Sequence, residues 1–215
     1  MDDPLRQAPA MLAPAARAYE RRLRRYGPTA KGVFWRDDEW QRRRYHVLVR
    51  AFRPEDRGGG VSIADFGCGY GALFQYLQDR PVMTGSRYIG YDMSEQMIAA
   101  CRNRIDDRRA RFVRHLRVTE PADYVFASGT YNLKLRANTG AWHRYILASL
   151  DQLWSKTGRV LAFNMLDADA EDDPEEGLYY GRASEFRDHC RQHFSARVEL
   201  STDPPLPDWT LFVRR

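Results

Sequence analysis

The chain has 215 residues, 43% of them hydrophobic, with 34 Lys and Arg against 29 Asp and Glu and a formal charge of +5; this suffices for one well-buried α/β domain with a small addition. No apolar run approaches the roughly 18 residues of a membrane span and no basic-then-apolar leader opens the sequence, so neither a membrane protein nor a secreted one is expected. Three widely spaced cysteines, Cys68, Cys101 and Cys190, make no metal pattern and no disulfide framework, which suits a reducing cytoplasm.

The excess charge is confined to the first 57 residues, where 14 basic side chains face 8 acidic ones; the remaining 158 carry a net −1. Residues 10–26 read as an amphipathic helix with Leu12, Ala15, Ala16, Tyr19, Leu23 and Tyr26 on one face. Its run Arg21-Arg22-Leu23-Arg24-Arg25 is either a solvated face or a phosphate contact. Gly27-Pro28 ends the helix. A short loop carries Val33, Phe34 and Trp35, and Asp37 or Asp38 then caps a second helix whose apolar side holds Trp40, Val47, Leu48, Ala51 and Phe52. Arg44 falls on that apolar side, where it needs a partner or must snorkel along the helix. The linker PEDRGGG separates this helical cap, residues 1–57, from a main domain, residues 58–215.

The main domain opens with VSIADFGCGYGALFQYL, residues 61–77. An apolar strand ends in Asp65, three glycines follow at alternate positions (Gly67, Gly69, Gly71), and an apolar-periodic helix begins. Such a turn lets a ligand lie against bare backbone, beside the unpaired N–H groups of a helix start. Dinucleotide dehydrogenases use G-x-G-x-x-G to seat a pyrophosphate. Here the pattern is D-x-G-x-G-x-G, whose carboxylate would repel a pyrophosphate and suit a cationic or hydroxyl-bearing ligand. A second strand, RYIGYD, ends in Asp92, 27 residues after Asp65. Ser94 caps the following helix, with Met97, Ile98, Cys101 and Ile105 on its buried face. A carboxylate at that strand tip can accept both hydroxyls of a ribose.

Further strands are expected at residues 110–116, 122–127 and 158–166, with a helix at about 140–154 between the last two. An acidic insertion spans 167–181, a helix 182–193, and two late strands 196–201 and 209–214 flank the turn DPPLPD. Strand and helix alternation implies a doubly wound, mostly parallel sheet. The final two strands, joined without a helix, suggest an antiparallel hairpin.

In the glycine motif, in Asp92 and in the fourth strand with its loop, the chain resembles the class I S-adenosylmethionine-dependent methyltransferases. The resemblance covers about residues 58–215. It implies an α/β Rossmann-like, seven-stranded sheet with an antiparallel last strand under an N-terminal helical cap, and S-adenosyl-L-methionine as cofactor. By that resemblance Gly67, Cys68, Gly69 and Gly71 would form the loop for the methionine moiety and Asp65 would sit near its ammonium group. Asp92 would hold the ribose, Met93 would pack beside the adenine, and Ser128 would belong to the facing loop. Arg44 would meet the cofactor's carboxylate, with Trp35 closing over the site. Relatives often carry an acid after the third strand for the adenine amine; this chain has Arg114-His115-Leu116-Arg117. The segments KGVFWRDDEWQRRRYHVL and ASGTYN are also similar to a group of bacterial methyltransferase-like proteins of undefined substrate.

For the chemistry, Tyr131 and His143 are the leading candidates, as catalytic groups or as walls of the acceptor pocket, with His115 and Tyr179-Tyr180 behind them. The loop Ser128-Gly129-Thr130-Tyr131 lacks the Pro-Pro-aromatic pattern of base-amine methylation and the cysteine of cytosine methylation. No His/Asp/Glu cluster marks a metal site. The expectation is methyl transfer to oxygen or nitrogen of a small molecule, a sugar or a natural-product intermediate. Alternatives are an RNA methyltransferase using the Arg-rich N-terminus and a non-catalytic cofactor-binding protein. Nothing in the sequence bears on oligomeric state.

Overall fold

The computed structural model describes residues 3–170 and 174–215; the centre of the acidic insertion, residues 171–173, lies outside them. Helix α1 (Pro4–Tyr26) leads through a 3-10 turn (Ala30–Val33) to α2 (Asp38–Leu48). There follow β1 (Ser62–Phe66), α3 (Ala72–Leu77), β2 (Arg87–Asp92), α4 (Glu95–Arg104), β3 (Ala110–Arg114), β4 (Ala122–Ala127), α5 (Thr139–Lys156) and β5 (Thr157–Asp167). The chain closes through β6 (Tyr180–Gly181), α6 (Ala183–His193), β7 (Val198–Thr202) and β8 (Asp208–Arg214). Helix α1 starts ahead of residue 10 because Asp3 caps it, accepting from the Leu5 N–H at 2.9 Å with Pro4 in the first turn. Pro9 and Pro14 lie inside it although each removes a helical hydrogen bond. Asp37 caps α2, accepting from the Trp40 N–H at 2.8 Å.

The strands pair in the order β3-β2-β1-β4-β5-β8-β7. The first five run parallel and β8 lies antiparallel between β5 and β7. The expected doubly wound sheet is thus present, with one addition: the two-residue β6 pairs with the tip of β5, Leu166 opposite Tyr180, past the last β4 pairing at Phe163.

Period-two alternation assigns each side chain to one of two cores. Ala64, Phe66, Ile89, Tyr91 and Val125 pack with Leu12 of α1, Trp142 and Leu150 of α5, and Phe186 of α6. Ile63, Tyr88, Tyr124 and Phe126 pack with Leu48 of α2, Phe74 of α3 and Ile98 of α4. Each buried Leu, Ile, Val or Phe among them contributes about 1.5–3 kcal/mol relative to exposure. The N-terminal helices therefore share both cores with the sheet. Between β1 and β4 the strand order reverses, and the carboxyl ends of the strands open a crevice there, the usual ligand position in such sheets.

Candidate active site

The crevice is a partly open cleft lined from α1, α2, the loops after β1 to β4 and α5, the concave, mostly apolar setting of small-ligand sites. Its floor is the loop after β1: Phe66, Gly67, Cys68, Gly69 and Tyr70. Gly67 and Gly69 have φ of 77° and 54°, left-handed values that glycine takes without strain. A Cβ on Gly69 would project into the cleft towards Val33, 3.6 Å away, and one on Gly67 would strike Thr130. Gly71 is not on the wall; its bare Cα lets α4 and β3 approach, since a Cβ there would meet Ile105, Cys101 and Phe112.

Asp92 ends β2 on the cleft wall with Met93 and Ser94 beside it. Its Oδ2 accepts the Gly69 N–H at 3.0 Å and its Oδ1 the Ser94 N–H at 2.8 Å. The carboxylate thus stitches the glycine loop to the start of α4 and keeps lone pairs for a ligand hydroxyl. Burial pushes its pKa up to about 6, against the lowering effect of these N–H groups. The roof is α1, through Leu12, Ala15, Ala16 and Tyr19. Glu20 on the same helix accepts from Ser94 Oγ at 3.0 Å, and Arg24 donates to Gln96 at 3.0 Å.

The far wall is the loop after β4, with Ser128, Gly129 and Thr130 facing the cleft. Asn164 of β5, 1% exposed, accepts the Gly129 N–H at 2.7 Å and donates to Ser128 Oγ at 3.3 Å. Trp35 lies directly on the Cα of Gly129. Beyond Tyr131 the chain pairs with the end of the acidic insertion: Leu133 bridges Leu178, and Tyr179 N–H donates to Asn132 O at 2.8 Å.

Several expected positions differ. Tyr131 is fully buried and turned from the cleft, its hydroxyl hydrogen-bonded to Ser149 at 2.8 Å. Trp142 Nε1 fixes this orientation by donating to Tyr131 O at 2.9 Å, and burial raises the Tyr131 pKa. His143 is also off the wall; its Nδ1 lies 2.7 Å from the Tyr179 hydroxyl and its ring packs on Phe186. Asp65 projects to the opposite face of the sheet, as alternation with Phe66 requires, and accepts the Tyr88 hydroxyl. Burial pushes it up to about 7. Arg44 does not reach the cleft, because its guanidinium is paired with Asp208 at 2.6 Å, both side chains being under 5% exposed.

Wall residues not anticipated from the sequence as site residues include Gln41, Tyr45, Tyr70, Trp142 and Tyr145. Gln41 and Tyr70 are joined by a 2.8 Å hydrogen bond donated by the tyrosine, which leaves the Gln41 amide N–H groups as donors. The helical spacing of Trp142 and Tyr145 was legible as a buried face, but not which part of it borders a cleft. His115, weighed as a base, lines the cleft beside Leu116, just past β3.

A glycine loop at the end of β1, a carboxylate at the end of β2 and a seven-stranded sheet with β8 reversed define one class. The chain belongs to the class I S-adenosylmethionine-dependent methyltransferases, and a methyltransferase-domain family model matches residues 64–162. Among named proteins, it is 36% identical over 156 residues to "Putative methyltransferase Rv1506c" of Mycobacterium tuberculosis, which covers 72% of this chain and 93% of that one. Solved structures share the fold at low identity. The magnesium protoporphyrin IX methyltransferase of Synechocystis PCC 6803 with bound SAH matches at TM-score 0.62 and 17% identity, over 82% of this chain and 84% of that one. The complex of DhpI with SAH matches at TM-score 0.63 and 15% identity, over 95% and 96%.

The residues of the cleft suit S-adenosylmethionine: bare backbone at Gly69 leaves open space that a Cβ would enter, and the Asp92 carboxylate offers acceptors to a hydroxyl-bearing ligand. One element differs from expectation. Among the described residues no Lys or Arg lines the cleft, and the polar groups nearest the glycine loop on the α2 side are the neutral Gln41, Tyr45 and Tyr70.

Proposed function

We propose that this methyltransferase acts on oxygen or nitrogen of a small molecule held between α1, the loop after β4 and α5. When bound, S-adenosylmethionine would supply an electrophilic methyl group, which an acceptor lone pair attacks in line while the methyl–sulfur bond breaks and S-adenosylhomocysteine leaves. The chain's own part is then positioning and exclusion of water. In this reading Gly67, Cys68 and Gly69 give backbone to the methionine moiety, and Gln41 donates to its carboxylate in place of a cation. Asp92 accepts from the ribose, while Met93, His115 and Leu116 border the adenine. Trp142, Tyr145, Leu133 and the small residues Ala15 and Ala16 shape the acceptor end. With Tyr131 and His143 turned away, a proton on the acceptor leaves to solvent or to a base brought by the substrate.

The observation that carries this reading is the roof. Helix α1 roofs one side of the cleft, whose lining is largely aromatic and aliphatic, an arrangement suited to a small acceptor rather than a polymer. The arginine run also supports it against the RNA alternative. Arg22 bonds Lys31 O at 2.9 Å and sits 4.5 Å from the centre of the Phe34 ring, and Arg24 holds Gln96. Two of the four arginines thus hold α1 in place. Three free thiols suit a cytoplasmic setting, and among the described residues no helix is long and apolar enough to cross a membrane. Residues 1–57 are read as the cap and 58–215 as the catalytic domain.

The test is transfer of labelled methyl from S-adenosylmethionine to a panel of sugars, amines, phenols and carboxylic acids, run beside total RNA. Label in one chemical class of small acceptor supports the proposal. Label in RNA alone, lost steeply with added salt, overturns it.

A further inference from the structure

The buried pair Arg44–Asp208 has no part in the chemistry above, yet it occupies a costly place. Two charges under 5% exposed need more than mutual attraction to be worth keeping, since an apolar pair of similar volume is often as stable. The contacts show where the pair acts. Arg44 Nε donates to Asp208 Oδ2 at 2.9 Å, and Nη1 to Trp40 O at 3.2 Å. That fixes the guanidinium plane 4.1 Å from the centre of the Trp35 ring, within the range of a cation–π contact. Trp35 in turn rests on Gly129, where any Cβ would collide with the indole. On the other side of that loop Asn164 holds the Gly129 N–H and Ser128 Oγ. One chain of contacts thus runs from β8 through α2 and Trp35 to the loop after β4, meeting Asn164 from β5.

We infer that Arg44 and Asp208 are positioning residues for the cofactor cleft: the ion pair presses Trp35 onto Gly129 and so sets the wall formed by Trp35, Ser128 and Thr130. Arg44 suits this because its planar guanidinium binds a carboxylate along its edge while stacking on the indole with its face. A lysine can make the ion pair without the stack. Asp208, at the first position of β8, is tied to the sheet through Leu166 opposite it, so the clamp has a rigid base. The inference rests on the cofactor reading, because the loop after β4 that borders the acceptor also meets the glycine loop: Thr130 Oγ1 donates to Phe66 O at 2.8 Å and lies where a Cβ on Gly67 would be.

The experiment uses the full chain, 5-fluorotryptophan labelling and S-adenosylhomocysteine as probe. The Trp35 fluorine resonance is identified by its loss in Trp35→Phe. In the unaltered protein that resonance shifts on saturation, and probe binding by calorimetry gives the reference affinity. The double variant Arg44→Met with Asp208→Leu removes the charges together, so it is expected to melt within a few degrees of the parent. It should nevertheless bind the probe at least tenfold more weakly, with the Trp35 resonance broadened or split. Arg44→Lys, which keeps the charge pair, should show the same broadening and about a tenfold loss. Binding within twofold of the parent in both variants, or a Trp35 resonance indifferent to the probe, would overturn the inference. A parent that binds no probe would instead count against the cofactor reading itself.

Discussion

Asp92 carries two duties that a single substitution separates. Its oxygens hold the N–H groups of Gly69 and Ser94, and they face the cleft. Asp92→Asn keeps one acceptor and the shape, so the domain stays folded, while probe affinity should fall at least tenfold in calorimetry. The carboxylate titrates near 6 without ligand. Because hydroxyl donors favour its charged form, affinity for S-adenosylhomocysteine should be constant above about pH 7 and weaken as pH falls through 6. An Asp92→Asn protein should lose that dependence. Tyr131 makes the opposite case. With its hydroxyl on Ser149 in the core, Tyr131→Phe should leave turnover within about twofold and cost about 1 kcal/mol of stability in urea titration. A large drop in turnover at unchanged stability would return Tyr131 to the chemistry.

At the scale of elements, Ser94 links a helix start to the roof. Its Oγ accepts the Met97 N–H as the N-cap of α4 and donates to Glu20 of α1. Ser94→Ala should cost about 1 kcal/mol through the lost cap and speed amide exchange in α1 around Glu20. Unaltered protection in α1 would show that the bond to Glu20 does not hold the roof. The parallel strands were readable because each carries its own signal: β1 is a short apolar run with Asp65 one residue from its end, β2 one that ends in Asp92, and β4 begins and ends at the expected residues. The first turns of α1 were hidden because Pro9, just ahead of the expected start at residue 10, imitates a helix stop. Strand β6 was hidden because two residues give no periodicity. Backbone positions of the cleft, Gly67, Gly69 and Ser128, follow from strand ends and were legible. The facing of Tyr131, His143 and Arg44 was not, since it depends on partners such as Trp142, Tyr179 and Asp208 that only the tertiary fold supplies.

For the molecule as a whole, the aspartates that burial raises, Asp65 and Asp92 together with Asp208, set an unusual acid dependence. Asp65 titrates near 7 when folded and near its ordinary value, about 3.9, when unfolded. Between those values the native state binds more protons than the unfolded one. Stability from this group is therefore full below about pH 4 and is lost as pH rises through 7. Asp92 acts in the same direction with its upper limit near 6. Asp107 and Asp123, whose carboxyls are held below the usual range, lose their contribution only under about pH 4. The ligand-free protein should thus melt at higher temperature near pH 5 than near pH 7.5, and Asp65→Asn should flatten the slope in scanning calorimetry. A melting temperature that rises with pH across this interval would contradict the buried, Tyr88-bound state of Asp65.

The placement of β8 has a consequence for how the molecule comes into being. Arg44 waits 164 positions for its partner Asp208, because the strand that supplies the aspartate is slotted between β5 and β7. A growing polypeptide on the ribosome has made the residues of the glycine loop, Asp92 and β1 to β5 before it makes the anchor of the Trp35 wall, and before β8 adds Trp209, Leu211, Phe212 and Val213 to the cores. Nascent chains paused ahead of residue 208 should therefore hold S-adenosylhomocysteine poorly, and ligand-assisted maturation can begin only after that residue has cleared the exit tunnel.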